Sequence, residues 1–237
     1  MWVYFITNII SFFNNNDIDK KLYMLKRSEV DVAKQVIKWL EEYHWEIYQE
    51  VKFKFTGGVA DIVAVQNNLI WIIETKTILG LKVIEQADKW RYLANYVSIA
   101  TPGGPNNNFI DDILKWKKIG RIIVNENDCY EPIGAFLNRK ALTDKIKKGL
   151  NEKHKTYAEA GNNKGRYWSP FKETCRQILL VVMRENGILL NDLIHKINHH
   201  YHTPASAKTS IVEWTKRGYI QGIEVRLENN KYRFYLK

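Results

Sequence analysis

An α/β domain followed by a smaller helical domain is the architecture this sequence predicts, and three features predict it. Two consecutive apolar runs, 59–65 and 69–73, carry Val59, Val63 and Val65 on one face of a strand and Ala60, Ile62 and Ala64 on the other, so helices are expected to cover the sheet on both sides. Helix-like and strand-like periods then alternate along residues 29–124 in the order α-β-β-β-α-β-α-β. Between about Lys145 and Trp168 the apolar period lapses into a stretch rich in Lys, Asn and Gly. That stretch reads as a helical end running into a linker, and it separates a domain at 24–145 from one at 169–237, with 146–168 between them.

The first helix is signalled by Ser28 as N-cap, with Val32, Ala33, Val36, Ile37 and Leu40 recurring at helical spacing and Asp31, Lys34, Gln35, Lys38 and Glu42 on the other face. Residues 46–55 alternate as a strand, with Ile47, Val51, Phe53 and Phe55 apolar, and Thr56-Gly57-Gly58 turns the chain. The two apolar runs flank Gln66-Asn67-Asn68, where Asn67-Asn68 suits a two-residue hairpin turn because Asn tolerates positive φ. A second helix is expected at 82–95, a strand at 96–100, a third helix at 109–118 and a strand at 121–124. The C-terminal part offers helices at 171–185, 190–198 and 204–217, then strands at 220–227 and 232–236 joined by Glu228-Asn229-Asn230-Lys231. Three helices closed by a β-hairpin is the winged-helix pattern.

With 237 residues and 45% hydrophobic content the chain can bury a full core, so disorder is not the expected general state. The net charge of +10 is uneven: residues 1–150 hold 21 Lys and Arg against 18 Asp and Glu, whereas 151–237 hold 15 against 8. A basic C-terminal part favours a polyanionic partner there, because neutralising phosphates releases counterions. The two cysteines, Cys129 and Cys175, form no close-spaced ligand pair, which fits a reducing cytoplasm. The apolar stretch 1–13 is too short to span a bilayer and lacks signal-peptide features, and Met24 stands just before the first helix, so 1–23 is expected to be an extension.

The chemistry concentrates on the hairpin. If Asn67 and Asn68 are the turn residues, Gln66 pairs with Leu69, and counting outward sets Asp61 opposite Glu74, with Lys76 two positions further on the same face. Facing carboxylates on an otherwise apolar hairpin, roughly 5 Å apart at Cβ, repel unless a cation lies between them, and a divalent metal ion meets that need. Glu29 falls on the buried stripe of the first helix and is the preferred third acidic ligand, with Glu50 on the first strand as its competitor. The plainer reading of Asp61, Glu74 and Lys76 is a cross-strand salt bridge; that of Glu29 is an acid favoured by the helix dipole.

Asp61, a gap of twelve, then Glu74-Thr75-Lys76 resembles the D…(D/E)xK signature of the PD-(D/E)XK nuclease superfamily, with Glu29 and Gln86 resembling its flanking motifs. The resemblance covers roughly residues 28–125, and Ala60 stands where the Pro of the name would be. It implies a restriction-endonuclease-like α-β-β-β-α-β core with a central mixed sheet. It also implies Mg²⁺, or Mn²⁺ in its place, held by Asp61, Glu74 and the Thr75 carbonyl with Glu29, and Lys76 orienting or activating the attacking water. Gln86, with Trp90 one turn later and Arg91 beside it, could hold the lysine, the water or a phosphate oxygen. Such chemistry hydrolyses phosphodiesters, and DNA is the expected substrate. The competing readings are an inactive DNA-binding regulator or adaptor, and a nuclease for RNA or branched DNA. Cutting both strands would favour a homodimer.

For the C-terminal domain, the helix beginning Thr203-Pro204 is the expected recognition helix, offering Ser206, Lys208 and Thr209 near its start and Lys216 and Arg217 at its end. Arg226, Lys231 and Arg233 would belong to the wing. His199, His200 and His202 lack metal-ligand spacing and are read as loop or DNA-facing residues, and Trp39, Trp45, Trp71 and Trp90 as core.

Overall fold

The computed structural model describes residues 27–103, 107–126, 128–161 and 167–237; the expected extension at 1–23, and Met24, lie outside the described residues. The chain divides into two compact units with the boundary between Tyr167 and Trp168.

In the first unit, helix α1 (Glu29–Glu42) begins at a capping box: the Ser28 hydroxyl accepts from the Asp31 amide at 3.2 Å while the Asp31 carboxylate accepts from the Ser28 amide at 3.0 Å. Its apolar stripe, Val32, Ala33, Val36 and Leu40, is buried. Strands β1 (Glu46–Lys52), β2 (Val59–Gln66) and β3 (Leu69–Thr75) form an antiparallel meander, and the β2–β3 turn puts Asn67 and Asn68 at φ 49° and 81°, the doubly left-handed geometry of a tight hairpin. Gln66 pairs with Leu69 and the ladder runs outward to Ile62 and Ile73, so Asp61 and Glu74 are the next positions.

Helix α2 (Leu81–Asp88) leads to β4 (Tyr96–Pro102), parallel to β3, and helix α3 (Asn108–Lys117) leads to β5 (Gly120–Val124), parallel to β4. Strand β6 (Cys129–Ile133) adds antiparallel to β5 and completes a mixed sheet in the order β1-β2-β3-β4-β5-β6. Apolar cores lie on both sides. Val51, Phe53, Val63, Ile70, Ile72, Trp90, Ile99 and Leu114 pack on the α2–α3 side, and Val32, Val36, Leu40, Ile62, Ile73 and Ile122 on the α1 side.

The structure departs from the sequence reading at four places in this unit. Ala60 does not share a face with Ile62 and Ala64: it packs with Val63, just as Tyr48 packs with Val51 on the partner strand. Simple alternation breaks on both strands between the pairs Gln49–Ile62 and Val51–Ala60, where Glu50 takes φ 49°. Helix α2 stops at Asp88 rather than 95, because the chain then tightens into successive turns, with the Trp90 amide donating to the Ala87 carbonyl and the Leu93 amide to the Trp90 carbonyl. Strand β6 carries no apolar signal, its residues 130–132 being exposed.

The fourth departure is the first half of the expected linker, which packs on β1. Helix α4 (Thr143–Lys147) runs into it, and a 3-10 turn (Glu152–Lys155) lies within it. Ile146, His154, Ala158 and Ala160 are buried, and Gln49 donates to the Lys155 carbonyl and accepts from the Ala160 amide. Polar side chains of a strand hold this backbone, so no apolar period announces it.

The second unit runs α5 (Pro170–Arg184), β7 (Ile188–Leu189), α6 (Leu190–Lys196), α7 (Pro204–Lys216), β8 (Ile223–Glu228) and β9 (Lys231–Leu236), with strand order β7-β9-β8. Ser169 caps α5, a Thr203–Ser206 box caps α7, and Asn229-Asn230 turns the β8–β9 hairpin at φ 48° and 60°. Ile178, Val182, Leu193, Ile211, Ile223 and Phe234 fill its core. The two-residue strand β7 is too short for periodicity to reveal. Cys129 and Cys175 are free, and among the described residues no helix is long and apolar enough to cross a membrane.

Candidate active site

Just beyond the last β2–β3 pair, Ile62–Ile73, the Asp61 side chain reaches β3. Its Oδ2 accepts from the Thr75 amide at 2.8 Å and the Thr75 hydroxyl at 3.0 Å. Lys76 follows, its amide donating to the Ala100 carbonyl of β4, and its ammonium lies 3.8 Å from Asp61 Oδ2 and 2.9 Å from Glu29 Oε2 at the start of α1. Glu74 is close enough to interact electrostatically with Asp61 and Lys76, and its Oε1 accepts from the Trp90 indole at 2.7 Å. The site thus sits at the C-terminal end of β3 and draws on α1, β1, β2 and the turns after α2.

Glu50 adds a further acid. It is 6% exposed, and its Oε1 accepts from the Gly161 amide at 3.0 Å. Gly161 needs to be glycine: it holds φ 77°, and a Cβ there would lie 2.6 Å from the Glu29 carbonyl group. The packed segment after α4 therefore reaches Glu29 through its backbone and Glu50 through its amide.

Burial governs the electrostatics of the cluster's carboxyls. Burial, then the Asp61 carboxylate and more weakly Glu50, push Glu74 up to about 8, against the Trp90 hydrogen bond and Lys76. Burial also holds Asp61 above the usual carboxylate range, although Lys76 and the two Thr75 hydrogen bonds oppose it. Burial works against a charged Lys76, but Asp61, the Glu29 hydrogen bond and Glu74 outweigh it and raise its pKa, so it stays protonated. The Lys76 ammonium thus interacts with Asp61, Glu29 and Glu74.

Of the residues picked out in the sequence, Glu29, Asp61, Glu74, Thr75 and Lys76 come together here. Glu29, expected as a metal ligand, is engaged by Lys76. Gln86 makes no hydrogen bond to the cluster, and its Oε1 is buried without a partner. Arg91 pairs with Asp88 at 2.9 Å and donates to the Tyr92 hydroxyl. Among the described residues, no group of three or more His, Cys, Asp and Glu side chains is arranged to hold a metal ion as it stands. The oxygens of Asp61 and Glu74 that take no hydrogen bond are Asp61 Oδ1 and Glu74 Oε2.

In the second unit Ser206 belongs to the α7 capping box, Lys208 is half-buried and the Thr209 hydroxyl donates to the Ala205 carbonyl. Lys216 donates to the Tyr232 hydroxyl, and Arg217 pairs with Glu213 at 2.6 Å. Arg226 pairs with Glu224, Lys231 is exposed, and Arg233 donates to the Gly187 carbonyl at 2.7 Å.

Sequence reasoning missed the indole donor and the Gly161–Glu50 contact. The first had a signal: a buried Trp needs an acceptor for its N–H, and Trp90 is 1% exposed. The second had none, because residues 111 positions apart meet only in the fold.

Residues 26–126 match the family model NERD, a Nuclease-related domain. No curated protein matches the chain. Among solved structures, the SPO1766 protein of unknown function from Silicibacter pomeroyi is similar at 14% identity and a TM-score of 0.37, over 65% of this chain and 89% of that one.

Proposed function

We propose that the first unit is a metal-dependent nuclease that hydrolyses phosphodiester bonds in DNA, and that the second is a winged helix that positions the DNA. The observation that carries this reading is the meeting of Asp61, Glu74 and Lys76 at one end of β3, within the segment that matches a nuclease-related domain.

The donor set fits a hard divalent cation such as Mg²⁺ or Mn²⁺. Asp61 Oδ1 and Glu74 Oε2 are open oxygens, and all the clustered acids are oxygen donors. Asp61, Glu74 and the Thr75 carbonyl are the proposed ligands. A bound cation would neutralise the scissile phosphate and lower the pKa of a water molecule. Glu74 would hold the cation as a carboxylate. Lys76, protonated and anchored by Glu29, acts as a fixed cation that holds an attacking water or a phosphate oxygen in place; Glu29 therefore acts by positioning the lysine. Gln86 supplies a buried amide oxygen with no competing hydrogen bond for a water or the lysine.

The order α5-β7-α6-α7-β8-β9, with β9 between β7 and β8, is what a winged helix has. Residues 168–237 carry 11 Lys and Arg against 6 Asp and Glu, which suits a phosphate backbone. Ser206, Lys208 and Thr209 at the start of α7, with Lys216 and Arg217 at its end, are the proposed contacts, and Arg226, Lys231 and Arg233 those of the wing.

The test is cleavage of plasmid, linear, branched and single-stranded DNA and of RNA with Mg²⁺, Mn²⁺ or EDTA, by wild type and by Asp61→Asn and Glu74→Ala. Metal-dependent cutting of DNA by wild type alone supports the reading. Cutting of RNA alone replaces the substrate, and binding of DNA with no cutting of anything favours an inactive adaptor.

A further inference from the structure

The first unit exposes several large aromatic rings. Trp116 is 75% exposed, Tyr92 66% and Phe136 58%. Each carries a cation over its ring: Arg91 over Tyr92 at 5.0 Å, Lys117 over Trp116 at 5.1 Å and Lys118 over Phe136 at 4.5 Å. The three form one surface. Asp88 pairs with both Arg91 and Lys117, Lys118 follows Lys117 at the end of α3, and Asn138, two residues after Phe136, donates to the Arg91 carbonyl. The acid in this surface is neutralised twice over, so the outward charge is positive.

We propose that Tyr92, Trp116 and Phe136 form a stacking surface for an unpaired nucleic-acid strand, with Arg91, Lys117 and Lys118 meeting its phosphates. Flat rings interleaved with cations match the two parts of a nucleotide, and base-on-ring stacking is indifferent to sequence. A duplex keeps its bases stacked on one another and cannot offer them to exposed rings. A protein partner is disfavoured by the lysines, which are depleted at the centres of protein–protein interfaces. Arg91 and Tyr92 directly follow Trp90, whose indole holds Glu74, so a strand on this surface lies on the segment that positions a proposed metal ligand. The inference deepens the nuclease reading and takes the nature of the polymer from it.

The experiment is fluorescence anisotropy of a labelled dodecathymidylate and of a labelled duplex of equal length, in EDTA, with the full chain. Because EDTA prevents turnover, binding is read whether or not the protein cuts. Tyr92→Ala, Trp116→Ala and Phe136→Ala are expected to weaken single-strand binding by about tenfold each and to leave duplex binding within about twofold. The single strand should also quench the tryptophan emission of the wild type, and Trp116→Phe should lose most of that quenching while retaining binding. Single-strand affinity unchanged in the three alanine variants, or a parallel loss of duplex affinity, would overturn the proposal.

Discussion

Replacing Glu74 by Gln should stabilise the metal-free protein, and do so only at high pH. The glutamine keeps the size of the side chain and an oxygen for the Trp90 indole, but never ionises. In the wild type Glu74 rises from an ordinary 4.5 to about 8, chiefly through burial and next through Asp61. A carboxyl whose folded pKa is raised contributes stability that is full below its unfolded value and is lost as pH climbs through the folded one. At 1.36 kcal/mol per pH unit, the gap between 4.5 and about 8 sets a ceiling of roughly 5 kcal/mol on what the wild type loses and the variant keeps. For a chain of this size that corresponds to a difference in Tm on the order of 10 °C. Calorimetry in EDTA should therefore find the two proteins melting together near pH 5 and drawing apart, the variant higher, towards pH 9. Mg²⁺ at pH 9 should then raise the Tm of the wild type and not of the variant. A Tm difference that stays constant from pH 5 to 9 would refute the account of Glu74.

Three further perturbations have expected outcomes. Trp90→Phe removes the donor that holds the Glu74 carboxylate, so Mn²⁺ titrations should show metal binding displaced to higher pH, with folding weakened by about 1–3 kcal/mol. Gly161→Ala forces a Cβ to within 2.6 Å of the Glu29 carbonyl group at φ 77°, and urea denaturation should register a loss of about 2–3 kcal/mol. Asp111→Ala strands the Arg121 guanidinium, whose side chain is 4% exposed and bonded to Asp111 at 2.8 Å, and the same assay should show about 3–5 kcal/mol lost.

What the sequence revealed and what it hid follow from the range of the forces involved. The β2–β3 hairpin was legible because its turn chemistry is local: Asn67-Asn68 sets the register from Gln66–Leu69 to Ile62–Ile73, and Asp61 and Glu74 follow just beyond the last pair. The apolar stripe of α1 was legible for the same reason and brought Glu29 inward. The break in alternation at Glu50 and Asp61 was not, since it depends on how two strands meet and on a left-handed residue in the middle of one of them. The packing of residues 146–161 was hidden because Gln49 and Glu50 hold backbone groups there, and apolar period carries no trace of a polar contact. The early end of α2 was hidden by Trp90, which continues an apolar stripe in sequence but reaches Glu74 from a tight turn.

The central claim is that this acid cluster holds a cation and that Lys76 acts on what the cation binds. Its most direct test is Lys76→Ala, with Mn²⁺ affinity measured by calorimetry and cleavage of the preferred DNA measured at saturating metal. The account predicts metal affinity within a few-fold of wild type and cleavage reduced by at least about a hundredfold, in the range for a removed electrostatic stabiliser. Cleavage at the wild-type rate with metal bound, or no metal binding by either protein, would contradict it.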